Sequence, residues 1–494
     1  MYWIGFDLGS SSIKAALIRS EDGKVIAVTQ YPETEMHISS PEIGWGEQDP
    51  ELWWENACIA SRKLIEVSGV ASGDIKGIGI SYQMHGLVLV DKAYKVIRPS
   101  IIWCDSRAVS SGDALFELAG EERCLEHLLN SPGNFTLAKL KWVKDHEPET
   151  FAKIYKYMLP GDFLALRLTG ECITTPSGLS EGIAYDFKSN NTASWLLELA
   201  GISPELVPEI RPSFSEQGRV TKAAANVSGL PEGIPVMYRA GDQPNNALAL
   251  NVLEPGQIAA TGGTSGVVYA ITDQVTTTES VRINSFAHVN HSPNAPRIGK
   301  MLCINGTGIQ YSWMRSQVSG GKSYNEMNEL AATVPVGSEG LCILPYGNGA
   351  ERMLRNQYKG ARISNLNFNV HHQAHLFRAA LEGIAFSFVY GMEILAKDGA
   401  NIQSIKAGND NLFRAGIFSN TISILTNARI DIVETTGAVG AARAAAYASG
   451  AFKSFDEAVQ TDKVQLQYEP DHSVLEQYKT AYNNWKQELK AYIN

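Results

Sequence analysis

The sequence predicts an α/β protein built from two related domains. Its 494 residues exceed what one hydrophobic core usually organises. Residues 3–14 and 258–269 share one pattern: a strand, a tight turn of glycine and hydroxyl residues, and a second strand. Strand and helix patterns alternate in both halves, so the repeated unit is half the molecule. We place the domain boundary after a buried strand at 236–240, giving domains of residues 1–245 and 246–494.

The composition indicates a globular protein without affinity for polyanions. The chain is 44% hydrophobic and 19% charged, with a net charge of -10 and a pI near 5.6. This acidity argues against nucleic acid and anionic membrane as partners, so a phosphate ligand needs local donors or a metal. We find no signal-peptide pattern and no apolar run long enough to span a bilayer. The six cysteines lack C-x-x-C spacing, which favours buried free thiols and a cytoplasmic location.

The first half alternates strands with helices in order. After the opening hairpin we expect a strand at 24–30, and Asp49-Pro50 signals a helix over 51–66. A strand at 75–80 leads into a polar loop before the strand at 87–90. Helices are expected at 108–119, 137–145 and 161–168, residues 204–232 are loop-rich, and the strand at 236–240 opens onto Asp242 and a helix.

The second half repeats this alternation. It has the hairpin around Gly262, a strand at 340–344, a helix at 375–395, a strand near Ile405 and a helix at 438–447. Residues 471–492 read as an amphipathic packing helix. His371, His372 and His375 lack the spacing of a metal site, and we assign them to the start of a helix.

The two hairpin turns are candidate phosphate sites. Glycines let the backbone approach an anion, and Ser or Thr hydroxyls add donors without bulk. Ser10, Ser11 and Ser12 fill the first turn, and Gly262, Gly263, Thr264 and Ser265 form the second. Ordinary hairpins use the same residues, so each turn alone also fits a purely structural role.

Two aspartates end strands beside these turns. Asp242 occupies the carboxyl end of a strand, where open α/β sheets place ligands, although it also fits a helix N-cap. Asp7 fits a structural turn residue or a group that orients magnesium, directly or through water. Two phosphate turns with two strand-end aspartates suit phosphoryl transfer, in which positioning and charge stabilisation carry most of the catalysis.

Three further segments carry candidate ligand contacts. Gln83, Met84 and His85 lie in the loop after the strand at 75–80. Trp103, Asp105 and Arg107 offer a stacking face and two charges for a polyol, or form an Asp–Arg pair at the surface. The small residues 437–442 fit either close approach to a nucleotide or tight helix packing, and residues 408–411 are a second candidate edge for an adenosine.

These motifs jointly resemble the FGGY carbohydrate kinases of the actin-like ATPase superfamily over nearly the whole chain. The motifs are residues 5–14, 45–50, 83–86, 136–142, 241–242, 262–266, 381–383 and 437–442, with Trp103, Asp105 and Arg107. The resemblance implies two ribonuclease-H-like domains around a central cleft, with sugar bound mainly by the first and ATP mainly by the second. Within the family the chain is most similar to members that phosphorylate the ketopentose D-xylulose.

The resemblance also implies roles for individual residues. Asp242 is the general base for the attacking sugar hydroxyl, and Asp7 supports Mg²⁺ and the phosphate. Gln243 stands where the D-xylulose kinases usually carry asparagine, which implies a different reach to a sugar hydroxyl. The implied sugar contacts are Gln83, Met84, His85, Trp103, Asp105 and Gln243. The implied ATP contacts are Ser10, Ser11, Ser12, Lys14, Gly262, Gly263, Thr264, Ser265, Gly408, Asn409, Ala438 and Gly440.

Three alternatives remain at this point. The chain could phosphorylate another sugar or polyol, such as ribulose, fuculose, gluconate or glycerol. It could be a catalytically idle sugar sensor, against which the retained aspartates and second phosphate turn argue. It could be a chaperone ATPase, which would not need the loop at Met84 and His85. A homodimer is a further expectation from the resemblance.

Overall fold

The computed structural model describes residues 1–409 and 412–493. Two residues of the expected adenosine edge, Asp410 and Asn411, lie outside this range. Two mixed sheets form the scaffold, one in each half of the chain.

The first sheet has five strands and holds the opening hairpin near its centre. Its first three strands form an antiparallel meander, and the other two run parallel to the first strand. In spatial order the strands are Val25–Tyr31, Ile13–Arg19, Tyr2–Leu8, Ile75–Tyr82 and Val236–Gly241. Parallel strands covered on both faces read as nearly continuous apolar runs, as Ile75–Tyr82 does.

The second sheet repeats this order and adds a strand at each edge. Its meander and the two parallel strands beside it match the first sheet element by element. In spatial order the strands are Asn284–Ala287, Ile298–Ile304, Gly266–Thr272, Gln257–Gly262, Ser404–Gly408, Arg429–Val433 and Val464–Tyr468. The predicted repeat of half the molecule is therefore confirmed.

Helices cover the sheets, and the predicted ones are present with small shifts at their ends. The Pro50–Ser68 helix begins as predicted, because the Asp49 side chain accepts a hydrogen bond from the Glu51 backbone at its N-cap. The loop-rich segment at 204–232 contains the short helix Lys222–Ser228. The other helices of eight or more residues are Val109–Ala119, Thr136–His146, Pro160–Thr169, Asp242–Ala249, Gly308–Gln317, Tyr324–Ala332, Gln373–Lys397, Gly416–Thr426, Gly437–Ala448 and Leu475–Ile493.

Shorter elements connect these parts. Short helices and 3-10 turns are Ser72–Asp74, Glu121–His127, Pro148–Phe151, Pro176–Glu181, Ser194–Leu199, Pro204–Leu206, Ser338–Gly340, Arg352–Leu354, Phe455–Ala458 and His472–Val474. Short strands pair Glu47–Gln48 with Ser100–Ile101, Val88–Val90 with Lys156–Met158, Ile173–Thr174 with Glu209–Ile210, Tyr185–Asp186 with Asn191–Thr192, and Cys342–Leu344 with Arg362–Ser364.

One helix from the second half packs on the first sheet, and we call Gly437–Ala448 the bridging helix. A Cβ built on Gly5 would lie 2.0 Å from the Ala438 carbonyl oxygen, and one on Gly79 would lie 1.9 Å from that of Ala441. The two glycines thus let the helix backbone rest directly on the strands. Because the bridging helix also contacts the Asp242–Ala249 helix, it ties the two halves together.

Three sequence expectations need correction or detail. The Gln373–Lys397 helix is long and apolar enough to cross a membrane, contrary to our expectation that no such run exists. Because 83% of its most apolar 18-residue stretch is buried inside the protein, it is also typical of a core helix. Cys58, Cys124 and Cys342 are buried free thiols, whereas Cys104 is exposed and Cys172 and Cys303 are half-buried. His372 is the N-cap residue of the Gln373–Lys397 helix and His375 lies in its first turn, so their assignment to the start of a helix is confirmed.

Candidate active site

Asp242 is the first residue of the Asp242–Ala249 helix and directly follows a strand of the first sheet. Gly241 occupies the N-cap, so the alternative that Asp242 is the N-cap is wrong. Burial, and after it the charge of Asp7, raise the pKa of Asp242 to about 7 against the opposing hydrogen bonds from Gln243. The carboxylate can therefore accept a proton near neutral pH.

Asp7 lies at the end of the central strand and faces the bridging helix. Its Oδ1 accepts a 2.8 Å hydrogen bond from the Ser81 hydroxyl. A Cβ on Gly437 would lie 2.7 Å from its Oδ2, so a larger residue there would displace the Asp7 carboxylate. Burial raises the pKa of Asp7, whereas Ser81 and the cross-strand neighbour Lys14 lower it. Asp7 and Asp242 are close enough for their charges to interact.

The polar loop at Gln83, Met84 and His85 lies next to the strand that leads to Asp242. A Cβ on Gly241 would lie 2.5 Å from Met84 Cγ and 3.3 Å from both carboxyl oxygens of Glu181. Gln83 is buried and donates to Gln48 Oε1 at 3.4 Å. The structure thus brings this loop, Gln243 and Asp242 together around one end of the first sheet.

The segment at Trp103, Asp105 and Arg107 is divided between the surface and the interior. Trp103 is 54% exposed, and its Nε1 donates to Ser10 Oγ at 3.4 Å. Asp105 is fully buried and accepts hydrogen bonds from the Gly46 backbone at 2.7 Å and from Arg107 Nε at 2.8 Å. The Asp–Arg pair is therefore internal, and Trp103 is the member of this segment that is open to a ligand.

The first turn, at residues 9–12, lies next to Trp103. Gly9 and Ser12 close the turn with a 3.1 Å backbone hydrogen bond. Ser11 is exposed, Ser10 is half-buried, and Ser12 is buried. Gln48 Nε2 donates to the Ser10 carbonyl at 2.7 Å, which fixes the turn against the loop at Gln83.

The second turn lines a cavity of about 530 Å³ in the second domain. Gly263 and Thr264 carbonyls accept hydrogen bonds of 3.1 Å from the backbone of Gly308 and Ile309, at the start of a helix. Gly408 precedes the cavity residue Asn409, and Ser265 is exposed on the turn. The cavity is lined by Gly262, Gly263, Thr264, Gly308, Ile309, Tyr311, Ser312, Tyr324, Asn328, Asn409 and Leu412. A glycine and hydroxyl turn beside a cavity suits a nucleotide with its phosphates, whereas the first N–H groups of this helix are already bonded to the turn and to Thr307.

Two residues expected to contact the nucleotide pack tightly against a strand and a helix of the first half. Ala438 is fully buried, with its carbonyl against Gly5. A Cβ on Gly440 would lie 2.5 Å from Ala249 Cβ, so this glycine lets two helices approach. Neither residue lines the cavity, and both have the close packing that the sequence offered as the alternative.

The sequence assigned no role to four residues near the site, although Lys139 lies in the motif at 136–142. Glu181 and Phe286 follow no motif, since they come from a short helix and an edge strand far apart in sequence. Lys139 had a signal, because it is a lysine within an apolar helix face; it is fully buried, and burial lowers its pKa to about 7. Arg352 has no ion-pair partner among the residues that the structure describes, and its charge lowers the pKa of His85.

Magnesium needs few protein ligands when a nucleotide supplies the others. Within residues 1–409 and 412–493, no three His, Cys, Asp or Glu side chains form a metal cluster. Mg²⁺ in kinases is commonly held by one or two carboxylates with substrate phosphates and water. The half-buried Asp7 carboxylate, next to the first turn, fits that requirement.

The chain matches known proteins over almost its whole length. Profiles described as the N-terminal and C-terminal domains of the FGGY family of carbohydrate kinases match residues 2–249 and 258–449. A xylulose kinase of Staphylococcus xylosus is 31% identical, covering 92% of each chain. An L-xylulose/3-keto-L-gulonate kinase of Escherichia coli is 26% identical, covering 99% of this chain and 97% of the relative.

A solved structure agrees with these matches. The crystal structure of a xylulose kinase from Rhodospirillum rubrum superposes with a TM-score of 0.89 at 28% identity, covering 99% of both chains. The expected two-domain, actin-like fold and the ATP-dependent sugar kinase activity are thereby confirmed. This chain belongs to the FGGY family of carbohydrate kinases.

Proposed function

We propose that this kinase transfers the γ-phosphoryl group of ATP to D-xylulose, giving D-xylulose 5-phosphate. The observation that carries the proposal is the half-buried Asp242, whose pKa lies near 7, next to the loop at Met84 and His85. The relatives named xylulose kinase support the choice of sugar. The E. coli relative favours L-xylulose or a keto-sugar acid as the second candidate.

Asp242 acts as the general base in this proposal. A sugar hydroxyl is a poor acid, so its proton passes to the Asp242 carboxylate as the oxygen attacks the γ-phosphorus. Such general-base catalysis contributes about 10²–10⁴-fold in rate. Gln243 hydrogen-bonds the carboxylate and so orients it toward the sugar. Gln83, Met84, His85 and Trp103 hold the sugar, and the buried Asp105 fixes the neighbouring chain through Arg107 and the Gly46 backbone.

The nucleotide is held from both domains. We propose that the turn at Gly262, Gly263, Thr264 and Ser265 holds phosphate, with Gly408 and Asn409 beside the nucleoside. Ser10, Ser11, Ser12 and Lys14 approach the phosphates from the first domain. Asp7 would hold Mg²⁺ with the ATP phosphates, where the ion neutralises phosphate charge. Closure of the two domains excludes water, which would otherwise compete with the sugar hydroxyl.

A substrate panel tests the proposed activity. Release of ADP is measured with D-xylulose, L-xylulose, D-ribulose, L-fuculose, gluconate and glycerol, and without sugar. We expect the highest kcat/KM with D-xylulose and little ATP turnover without sugar. If only another sugar is turned over, the proposal of D-xylulose as substrate is contradicted, but the sugar kinase activity is not. If ATP turnover is equal with and without sugar, sugar phosphorylation itself is contradicted.

The pH dependence of catalysis should follow Asp242. Because the base must be ionised, kcat/KM falls as the pH drops below about 7, the pKa of Asp242, and the limiting slope is about tenfold per pH unit. The profile is measured with both substrates below KM, so that it reports the free enzyme. A profile that stays flat down to the ordinary pKa of aspartate, about 3.9, contradicts this assignment.

The remaining expectations stay proposals. The boundary between residues 245 and 246 falls within the Asp242–Ala249 helix, and we propose that this helix joins the two domains. We also propose a cytoplasmic enzyme that forms a homodimer and binds neither nucleic acid nor membrane. Analytical ultracentrifugation of the purified chain tests the oligomeric state.

A further inference from the structure

His85 has an unusual backbone that two buried side chains hold in place. Its φ of 62° lies in the left-handed region, which residues other than glycine rarely adopt. The His85 backbone N–H donates to Glu181 Oε2 at 3.2 Å, and its carbonyl accepts from Lys139 Nζ at 2.7 Å. Glu181 is 2% exposed and Lys139 is fully buried, so water does not compete for either hydrogen bond to the His85 backbone.

The His85 ring is fixed as firmly as its backbone. Nδ1 lies 3.0 Å from the Glu181 backbone carbonyl. Since a carbonyl can only accept, Nδ1 carries the proton. Phe135 and Phe286 pack against the ring with centroids at 4.7 and 5.6 Å.

The other ring nitrogen is left for a ligand. The side chain is 15% exposed, and Nε2 forms no hydrogen bond to any of the residues that the structure describes. Burial and the charge of Lys139 lower the pKa of His85 to about 3, so the ring stays neutral. In a neutral ring with the proton on Nδ1, Nε2 is an acceptor only.

We infer that Glu181 is a positioning residue that presents His85 Nε2 to the sugar as a hydrogen-bond acceptor. The sugar group at this point must then be a hydroxyl that donates to Nε2. A carboxylate at this point could not donate a hydrogen bond and would face the lone pair of the neutral ring, although the charges of Lys139 and Arg352 also act on this ring. The site therefore selects neutral ketoses and polyols over sugar acids. This inference rests on the proposed sugar contact of His85.

Nuclear magnetic resonance of the wild-type enzyme tests the tautomer directly. The protein is labelled with ¹⁵N-histidine, and the His85 signals are identified by their loss in a His85→Asn variant. We expect a protonated Nδ1 and an unprotonated Nε2 at neutral pH, with a change at Nε2 when the sugar binds. A protonated Nε2 in the free enzyme overturns the inference.

Kinetics of Glu181 variants test the positioning role. Glu181→Met removes the acceptor for the His85 N–H, and we expect KM for the sugar to rise about tenfold, the equivalent of about 1.4 kcal/mol for a lost hydrogen bond, with KM for ATP unchanged. Glu181→Gln, which keeps an acceptor oxygen, recovers most of this loss. Glu55→Met, on an exposed helix face, is the matched control. An unchanged sugar KM in Glu181→Met overturns the positioning role.

Inhibition of the wild-type enzyme tests the selectivity. The acid D-xylonate and the polyol D-arabinitol are compared as competitive inhibitors against whichever neutral sugar the substrate panel identifies. The comparison is therefore valid even if D-xylulose is not the substrate. We expect the acid to bind at least about tenfold more weakly than the polyol, a difference of about 1.4 kcal/mol. Equal inhibition by both compounds overturns the selectivity, even when D-xylulose is the substrate.

Discussion

Replacing Asp242 by asparagine is expected to lower kcat by about 10²–10⁴-fold, because the variant lacks the base that accepts the sugar proton. Sugar binding should persist, since asparagine has the same shape and resembles the protonated acid. Isothermal titration with D-xylulose measures binding, and the ADP-release assay measures turnover. Near-normal turnover removes Asp242 from the role of base.

The control for this variant is Asp49→Asn. Asp49 caps the Pro50–Ser68 helix through its side chain, and asparagine caps helices about as well. Its activity and stability should match those of the wild type. A similar loss of kcat in Asp49→Asn would mean that the assay reports general damage rather than a lost base.

Replacing Gly79 by alanine is expected to destabilise the protein by about 3 kcal/mol, at the upper end of the usual cost of overpacking a core. The new methyl would lie 1.9 Å from the Ala441 carbonyl oxygen, so strand and bridging helix must separate. Urea unfolding followed by tryptophan fluorescence measures the loss. Activity should fall as well, because Asp7 faces the start of the same helix.

Gly73→Ala is the matched control for this change. Gly73 is exposed in a short 3-10 turn, and a Cβ there meets no atom within 4 Å. Substitutions of this kind usually change stability by less than about 0.5 kcal/mol. If Gly79→Ala unfolds at the same urea concentration as Gly73→Ala, the bridging helix does not depend on close contact with the first sheet.

The sequence was sufficient to predict the elements that depend on local patterns. The Asp49 cap, the two hairpins and the strand before Asp242 each have a signal within a few residues, and each is present. Asp242 could be singled out because strand-end carboxylates mark ligand sites in α/β folds. Its raised pKa depends on burial and on Asp7, which the chain brings near from a distant position.

Long-range packing could not be predicted in the same way. Ala438 and Gly440 have the small side chains that suit both a nucleotide and a neighbouring helix, and only the fold decides between them. Asp105 resembled a surface partner of Arg107, but the tertiary structure buries the pair. Glu181 reaches His85 across almost a hundred residues of chain, and no local pattern indicates that contact.

The bridging helix also sets an order of events during synthesis. Gly5 and Gly79 emerge from the ribosome before their partners at 437–448, which follow Gly79 by more than about 350 residues. At a translation rate of about 5–20 residues per second, the face of the first sheet that carries Gly5 and Gly79 remains uncovered for about 20–70 s. The first domain therefore completes its packing only after the bridging helix of the second domain has been made, and until then that face is open to chaperones.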